Sequence, residues 1–253
     1  MILRGLTFLI IVTFTSFNAQ AQFDLTLESG AAFNGYNDVR YANAEGNKGD
    51  LFSLTDDFEV NQPVIYARIE AKFQFLDRNI IELTAAPLAF DYTKTSAENI
   101  VFGAHTYGLS NDEVSGRYEF NTYRASYRYQ FIESDQWYLS AGATVLIRDA
   151  RIALAESNLE DETTDLGVVP LLSFNLKHYT SDNFHLLLKG DALVGTVGRA
   201  EDILIGGEYQ FGDSNLSARA GYRIIEGGAD IAQVYNFSLI HFASVGLQYS
   251  FLR

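Results

Sequence analysis

Long stretches of this sequence alternate between apolar and polar residues with a period of two, the pattern of a half-buried β-strand. The run from Ile65 to Phe75 places Ile, Ala and Phe on one face and Arg, Glu and Lys on the other. The run from Tyr123 to Phe131 sets Tyr and Ala against Arg in the same way. A helical period is absent from any long window. The sequence therefore predicts an all-β protein.

Several of these runs end on the same aromatic-polar-aromatic pattern. The four copies are Phe73-Gln74-Phe75, Tyr129-Gln130-Phe131, Tyr209-Gln210-Phe211 and Tyr249-Ser250-Phe251, with a weaker one at His178-Tyr179. Short polar turns follow all but the last copy, whereas the connections at the opposite strand ends are mostly long, at roughly 35–63, 92–117, 150–166 and 227–236. Short turns on one side and long loops on the other are typical of a bacterial outer-membrane barrel.

Counting the runs gives the predicted architecture, a closed antiparallel up-and-down transmembrane β-barrel of about ten strands, with 8 or 12 as alternatives. The predicted strands are 23–34, 64–75, 80–91, 118–131, 137–149, 167–179, 184–196, 202–211, 216–226 and 237–251. The barrel domain would occupy residues 22–253 and leave both termini on the periplasmic side.

Residues 1–21 are typical of a secretory signal peptide. Arg4 supplies the positive region, Leu6 to Phe14 the apolar region, and Ala19-Gln20-Ala21 the small-x-small cleavage pattern. The apolar stretch is shorter than the roughly 20 residues that a spanning helix needs. We therefore expect export and localisation in the outer membrane.

Alternation alone does not show whether the polar or the apolar face of the strands lies on the outside of the barrel. A soluble periplasmic barrel that binds a hydrophobic ligand therefore stays an alternative. The length of the runs and the aromatic residues at strand ends favour the membrane. The polar face would then line the lumen, since an Arg or Lys facing lipid at mid-depth costs about 2–4 kcal/mol. The predicted lumen set is Glu28, Arg68, Glu70, Lys72, Glu82, Arg124, Arg128, Lys189, Asp191, Glu208, Arg219 and Arg223. Its mixed charges predict interleaved ion pairs, in either a filled interior or a narrow charge-lined pore.

Three charged segments lie where predicted strands meet the loops at the end opposite the short turns, one of them at the short connection Gly198-Arg199-Ala200. They supply the candidate mouth residues Arg148, Asp149, Arg151, Arg199, Asp202, Glu226 and Asp230. One interpretation is a rim whose charges pair with one another. The other is a site that binds a small anionic or zwitterionic ligand through Arg148, Arg199 and Arg223. The acidic stretches 37–59 and 156–165 are expected to be solvated loops, and neither has an EF-hand spacing.

Composition and motifs exclude several functions. The chain has no Cys, so it has no thiolate metal site, and its net charge of -14 argues against nucleic acid as a partner. Its four His residues have no metal-ligand spacing, and we expect no metal ion or cofactor. The Asp-x-Asp and Asp-x-His motifs of the omptin-like proteases do not occur. His241 and Ser244 are one residue too far apart for the His-x-Ser of lipid A deacylases.

Three positions leave the strand register open. Pro87 and Pro170 lie inside predicted strands, where proline removes a ladder donor and often marks a bulge. A bulge at Pro87 would turn Leu88, Phe90 and Tyr92 toward lipid. His241 shares the lipid-facing parity of its strand, which predicts either a place at the upper interface or a shift in register.

The chain resembles small bacterial outer-membrane β-barrel proteins as a class, through its predicted signal peptide, its aromatic strand endings and its final strand. Residues 118–251 more specifically resemble a family of uncharacterised outer-membrane barrels. The segments that carry this likeness are Phe120-Asn121-Thr122-Tyr123-Arg124, Tyr127-Arg128-Tyr129, Ile147-Arg148-Asp149-Ala150, Gly198-Arg199-Ala200 and Ala220-Gly221-Tyr222-Arg223 through Asp230. The resemblance implies location and fold, and no activity.

The first functional hypothesis is therefore a monomeric outer-membrane barrel, not an enzyme, with a structural, small-ligand-binding or narrow-channel role. Its expected partners are outer-membrane lipids, with lipopolysaccharide or a small anionic or zwitterionic ligand as further candidates. The alternative in the same membrane is an enzyme that acts on lipid or peptide at the barrel mouth.

Overall fold

A computed structural model of the chain describes residues 22–43, 48–95, 98–109, 112–195 and 198–252. The predicted signal peptide lies outside these residues. No helix long and apolar enough to cross a membrane occurs in the part of the chain that the structure describes.

Fifteen strands make up the described chain. Their bounds are β1 Gln22–Tyr41, β2 Phe52–Ser53, β3 Glu59–Val60, β4 Val64–Phe75, β5 Asn79–Ala86, β6 Ala89–Lys94, β7 Ile100–Phe102, β8 His105–Tyr107, β9 Val114–Glu133, β10 Trp137–Glu156, β11 Leu159–Tyr179, β12 Phe184–Val194, β13 Gly198–Gln210, β14 Leu216–Asp230 and β15 Val234–Leu252.

The long strands close into one antiparallel barrel. Strand β1 pairs with both β4 and β15, and every other wall strand pairs with its neighbours in chain order. Strands β5 and β6 both pair with β9 and form one interrupted wall strand. This makes ten wall strands, which confirms the predicted fold and strand number.

The outward face of the wall is apolar. Residues on this face include Leu27, Ile65, Ile69, Leu83, Val145, Leu172, Leu186, Ile205, Val245 and Leu247, each between 49% and 74% exposed. Aromatic residues lie at the end where the short turns connect the strands, which we call the turn end. Edge-to-face pairs form there between Tyr129 and Phe131, Tyr209 and Phe211, and Tyr249 and Phe251. This belt has the position of an interfacial girdle.

The opposite end, which we call the loop end, differs from the sequence prediction. The expected loops at 150–166 and 227–236 are wrong, because β10 and β11 continue to Glu156 and Leu159, and only residues 231–233 separate β14 from β15. Arg151 explains much of this difference, since it pairs across the hairpin with Glu160 and Glu162. The acidic residues that suggested a solvated loop are therefore partners in a paired strand.

The expected effect of Pro87 is also wrong in part. The wall strand does break there, between Ala86 and Ala89, but its register against β9 stays in step. The Leu88 N–H donates to the Asn121 side chain and the Leu88 carbonyl accepts from the Phe120 N–H, so no residue is inserted. Leu88, Phe90 and Tyr92 consequently point into the barrel, at 8%, 0% and 1% exposure, instead of toward lipid.

The register shift near His241 occurs on the neighbouring strand. Asn34 pairs with Ile240 and Tyr36 with Leu239, so Gly35 is an extra residue in β1. A Cβ at position 35 would lie 2.6 Å from His241 Nε2, so a larger residue at this bulge would have to displace the imidazole ring. His241 itself keeps the outward parity, and its Nδ1 contacts the Tyr222 hydroxyl.

Inward-facing aromatic residues fill part of the loop end. The cluster, which we call the aromatic cap, contains Phe90, Tyr92 and Tyr118 from the wall and Phe52, Leu54, Phe58, Phe102 and Tyr107 from the loops. Strands β2 and β3 anchor the first loop by pairing with β1 and β6. The barrel interior is therefore apolar near part of the loop end and, as described next, charged below it.

Candidate functional site

Charged side chains occupy the interior between the turn end and the aromatic cap. Eleven of the twelve residues predicted to line the lumen are no more than 9% exposed, and the twelfth, Lys72, has a side chain 24% exposed. They reach the interior because they share the inward parity of their strands, opposite to the apolar residues on the outside.

Several ion pairs cross the interior from wall to wall. Lys189 Nζ on β12 lies 3.0 Å from Glu70 Oε2 on β4, and these strands are five positions apart in either direction around the barrel. Glu70 also pairs with Arg219 at 3.0 Å and with Arg68 at 2.9 Å. This contact therefore spans the interior from one wall to the opposite wall.

Asp202 and Glu28 extend this arrangement toward the loop end. Asp202 pairs with Arg68 at 3.1 Å, and with Arg124 and Arg223 at 2.5 Å each. Glu28 pairs with Arg219 and Arg223. We call the connected residues the charge cluster: Glu28, Arg68, Glu70, Glu82, Arg124, Arg128, Lys189, Asp191, Asp202, Arg219 and Arg223.

The cluster is close to neutral. Adding the flanking pairs Lys72–Asp24 and Lys177–Glu208 gives eight cations (Arg68, Lys72, Arg124, Arg128, Lys177, Lys189, Arg219, Arg223) and seven anions (Asp24, Glu28, Glu70, Glu82, Asp191, Asp202, Glu208). A buried charge is tolerated only when it is paired, so the near-equal numbers are what a water-poor interior requires.

A cavity of about 470 Å³ lies above the charge cluster at the loop end. Arg124 and Asp202 form its floor, and its walls include Leu146, Ile152, Val169, Leu171 and Ile225. Tyr41 and Val234 contribute near the top. We call it the loop-end cavity; its volume and apolar walls are those of a small-molecule site.

The candidate mouth residues divide into three groups. Arg148, Arg199, Asp202 and Glu226 line the loop-end cavity, with Asp202 at the floor and Arg199 and Glu226 at the rim. Asp149, Arg151 and Asp230 lie outside its lining. Arg223, which the ligand hypothesis grouped with Arg148 and Arg199, belongs to the charge cluster below.

Ion pairs hold the cavity arginines in place. Arg148 contacts Asp165 across the β10–β11 hairpin, and its Nε is buried without a hydrogen-bond partner. Arg199 pairs with Glu226 at 2.5 Å and stacks 4.8 Å from the Phe237 ring centroid. The arginines that line the cavity are therefore paired with carboxylates, and the cavity has no excess of positive charge.

Tyr36 joins the Arg199–Glu226 pair on the outside of the rim. Its hydroxyl donates to Glu226 and lies 3.3 Å from Arg199 Nη2. Burial and this hydrogen bond to the Glu226 carboxylate raise the pKa of Tyr36 to about 12. The phenol therefore stays protonated and remains a donor at neutral pH.

Sequence reasoning did not include Asp165 among the candidates, because it was assigned to a loop. The clue was present in the sequence, since inward parity continues along β10 from Thr144 through Leu146 to Arg148 and Ile152. Carrying that alternation through the hairpin would have placed Asp165 on the inward face of β11, the same face of the wall as Arg148 on β10.

His241 and Ser244 have no catalytic geometry. His241 faces outward, whereas Ser244 faces inward and contacts the Tyr66 hydroxyl at 2.7 Å, so the two side chains are on opposite faces of β15. No group of three or more possible metal ligands occurs among the described residues.

Comparisons with known proteins support the fold. No protein-family model matches the chain, and no curated protein matches it. Its structure is similar to the outer membrane protease OmpT from Escherichia coli, with 9% identity, 93% of this chain and 99% of that chain covered, and a TM-score of 0.53. Neisserial surface protein A matches at 14% identity over 91% and 99% of the chains, and Ail of Yersinia pestis at 9% over 90% and 98%, with TM-scores of 0.34 and 0.35. The OmpT likeness shows a shared barrel fold.

Proposed function

We propose that this chain is an outer-membrane barrel that conducts no steady ion current and binds a small ligand in its loop-end cavity. The fold and the apolar outward face support a place in the outer membrane. A water-soluble barrel would carry its charges on the outside and its apolar residues within, the reverse of this arrangement.

The observation that carries the proposal is the Lys189–Glu70 contact between opposite walls. Together with the arginines bound to Glu70 and Asp202, it closes the lumen below the cavity. Ten strands enclose a narrow lumen that large side chains can fill. A ligand that enters the cavity therefore stays on the loop-end side of the barrel. We propose that it binds there without being chemically changed.

Planar-bilayer recording tests the closed lumen. We expect the native barrel to give no steady current, and the double variant Glu70→Ser/Lys189→Ser to give discrete current steps because it removes both sides of the wall-to-wall contact. Asp149→Ser/Arg151→Ser on the outward face is the matched control and should stay silent. A steady current through the native barrel would refute the proposal.

Cell fractionation tests the location. The barrel should be recovered with outer membranes and show a heat-modifiable mobility on gels, as a folded barrel does before boiling. Recovery in the soluble periplasmic fraction would refute membrane insertion.

A further inference from the structure

Among the described residues, β11 has an unpaired edge beside the loop-end cavity. Pairing between β11 and β12 ends at Leu172 and Ala192, although β11 continues to Leu159. Two residues beyond this last pair, the ladder would join Pro170 to Val194. Proline has no backbone N–H and cannot donate a ladder hydrogen bond there. Within the described ranges, no strand pairs with this edge of β11 between Leu159 and Leu171. We call this opening the β11 gap.

The β11 gap begins at the border of the apolar band. Strand β12 ends at Val194, ten residues from its start at Phe184 at the turn end. Ten residues at about 3.3 Å each, tilted by about 40°, rise about 25 Å, the height of the apolar band of such barrels. The gap therefore opens where the loop-side leaflet of the membrane ends.

Both sides of the β11 edge are apolar. Val169 and Leu171 face inward and line the loop-end cavity. Leu166, Val168 and Leu172 face outward and are 74%, 67% and 68% exposed. An apolar chain lying against the outside of β11 thus meets a continuous apolar surface that leads around the edge into the cavity.

The charged residues of the cavity limit which head groups a ligand there can have. Two matched pairs, Arg124–Asp202 and Arg148–Asp165, face into the cavity, and Arg199 pairs with Glu226 at its rim. Glu162 and Glu201 add two further carboxylates to the lining. Every arginine of the lining is paired with a carboxylate, so a net anion would find no compensating charge there, whereas a zwitterionic or uncharged polar group could bind to the Arg148–Asp165 pair.

We propose that a lipid-borne amphiphile with an apolar chain and a zwitterionic or uncharged head enters the loop-end cavity sideways through the β11 gap. The chain lies against Leu146, Val169 and Leu171, and the head lies at the Arg148–Asp165 pair. The inference rests on the proposed function in one respect, that the loop-end cavity is a binding site; the route of entry is independent of it.

Cysteine labelling tests the route, because the native chain contains no Cys. Leu146→Cys places one thiol on the cavity wall, where the native side chain is 3% exposed. The barrel is reconstituted in dioleoylphosphatidylcholine vesicles that contain N-dodecylmaleimide, a reagent held in the bilayer. Intact-mass spectrometry then follows the addition of the thiol across the maleimide double bond. We expect labelling, with Leu172→Cys, which faces outward at the border of the apolar band, as the positive control.

A blocking variant locates the entrance. Val169→Trp fills the inner side of the β11 gap, and we expect it to slow N-dodecylmaleimide labelling of Leu146→Cys by about tenfold or more. Val245→Trp, an outward-facing valine on β15 and away from the β11 edge, should leave the rate unchanged. N-ethylmaleimide, a small reagent added from water, should still label Leu146→Cys in both backgrounds.

The outcomes separate the two proposals. Labelling by N-ethylmaleimide but not by N-dodecylmaleimide would refute entry from lipid and leave the cavity as a site open to water. Equal N-dodecylmaleimide rates in the two tryptophan variants would refute the β11 gap as the entrance. Labelling by neither reagent would refute the cavity as a binding site and with it that part of the proposed function.

Discussion

Replacing Asp202 by Asn removes one charge from the centre of the barrel while almost preserving side-chain volume. The native carboxylate is 2% exposed and contacts three guanidinium groups, those of Arg68, Arg124 and Arg223. The amide that replaces it can still accept hydrogen bonds, but it leaves the cluster with an additional uncompensated positive charge. We therefore expect Asp202→Asn to fold into the same barrel with a clearly reduced free energy of unfolding.

The contacts set the size of the effect. A hydrogen bond to a charged group contributes about 1.5–3 kcal/mol, so three of them give an upper limit of about 5–9 kcal/mol. The loss is smaller because each arginine keeps a second carboxylate, at 2.9 Å for Arg68–Glu70, 3.0 Å for Arg124–Asp191 and 3.1 Å for Arg223–Glu28. Breaking a buried ion pair from one side costs about 3–5 kcal/mol, and we expect a value in that range.

Urea unfolding in phospholipid vesicles, followed by the gel mobility of the folded form, measures this difference. The control is Asp149→Asn, the same chemical change at an exposed outward position on β10, which should stay within about 0.5 kcal/mol of the native barrel. If Asp202→Asn were no more destabilising than this control, the carboxylate would not hold the cluster together and the reasoning would be wrong.

Two further substitutions test the packing. Phe90→Ala in the aromatic cap should cost about 3–5 kcal/mol, because the native ring is fully buried, and the change should appear as a lower thermal midpoint by circular dichroism, while Leu51→Ala at a 59% exposed loop position should not. Gly142→Ala should impair folding yield, since its Cβ would lie 2.0 Å from the Tyr127 carbonyl oxygen, whereas Gly195→Ala, with 3.5 Å to its nearest neighbour, should fold normally. A normal yield for Gly142→Ala would contradict the close strand approach.

The strand number and the turn end follow from local sequence. Alternation with a period of two and the aromatic residues before polar turns depend on neighbouring residues, so a sequence contains that information directly. The turn after Phe75 shows this, since Leu76 and Asp77 adopt the left-handed conformation at φ 47° and 60° in a polar segment identified as a turn.

The loop end was harder to predict because its structure depends on contacts between distant residues. Arg151 stabilises an acidic strand only once β10 and β11 are paired, and a proline such as Pro87 shifts the register only when an extra residue is present, which is not so here. The β11 gap depends on where two different hairpins stop. None of these facts can be read from a single strand.

The separation in sequence between partners inside the barrel has a consequence for assembly. Glu28 lies on β1, whereas its partners Arg219 and Arg223 lie on β14, 191 and 195 residues later. The Glu28 carboxylate can accept a hydrogen bond from Tyr66 on β4 early, but it gains its ion-pair partners only when the penultimate strand has arrived. A slip of β14 by one residue would turn both arginines toward lipid. The ion pairs between β1 and β14 thus favour closure of the barrel in the native register, in which the last strands meet the first correctly.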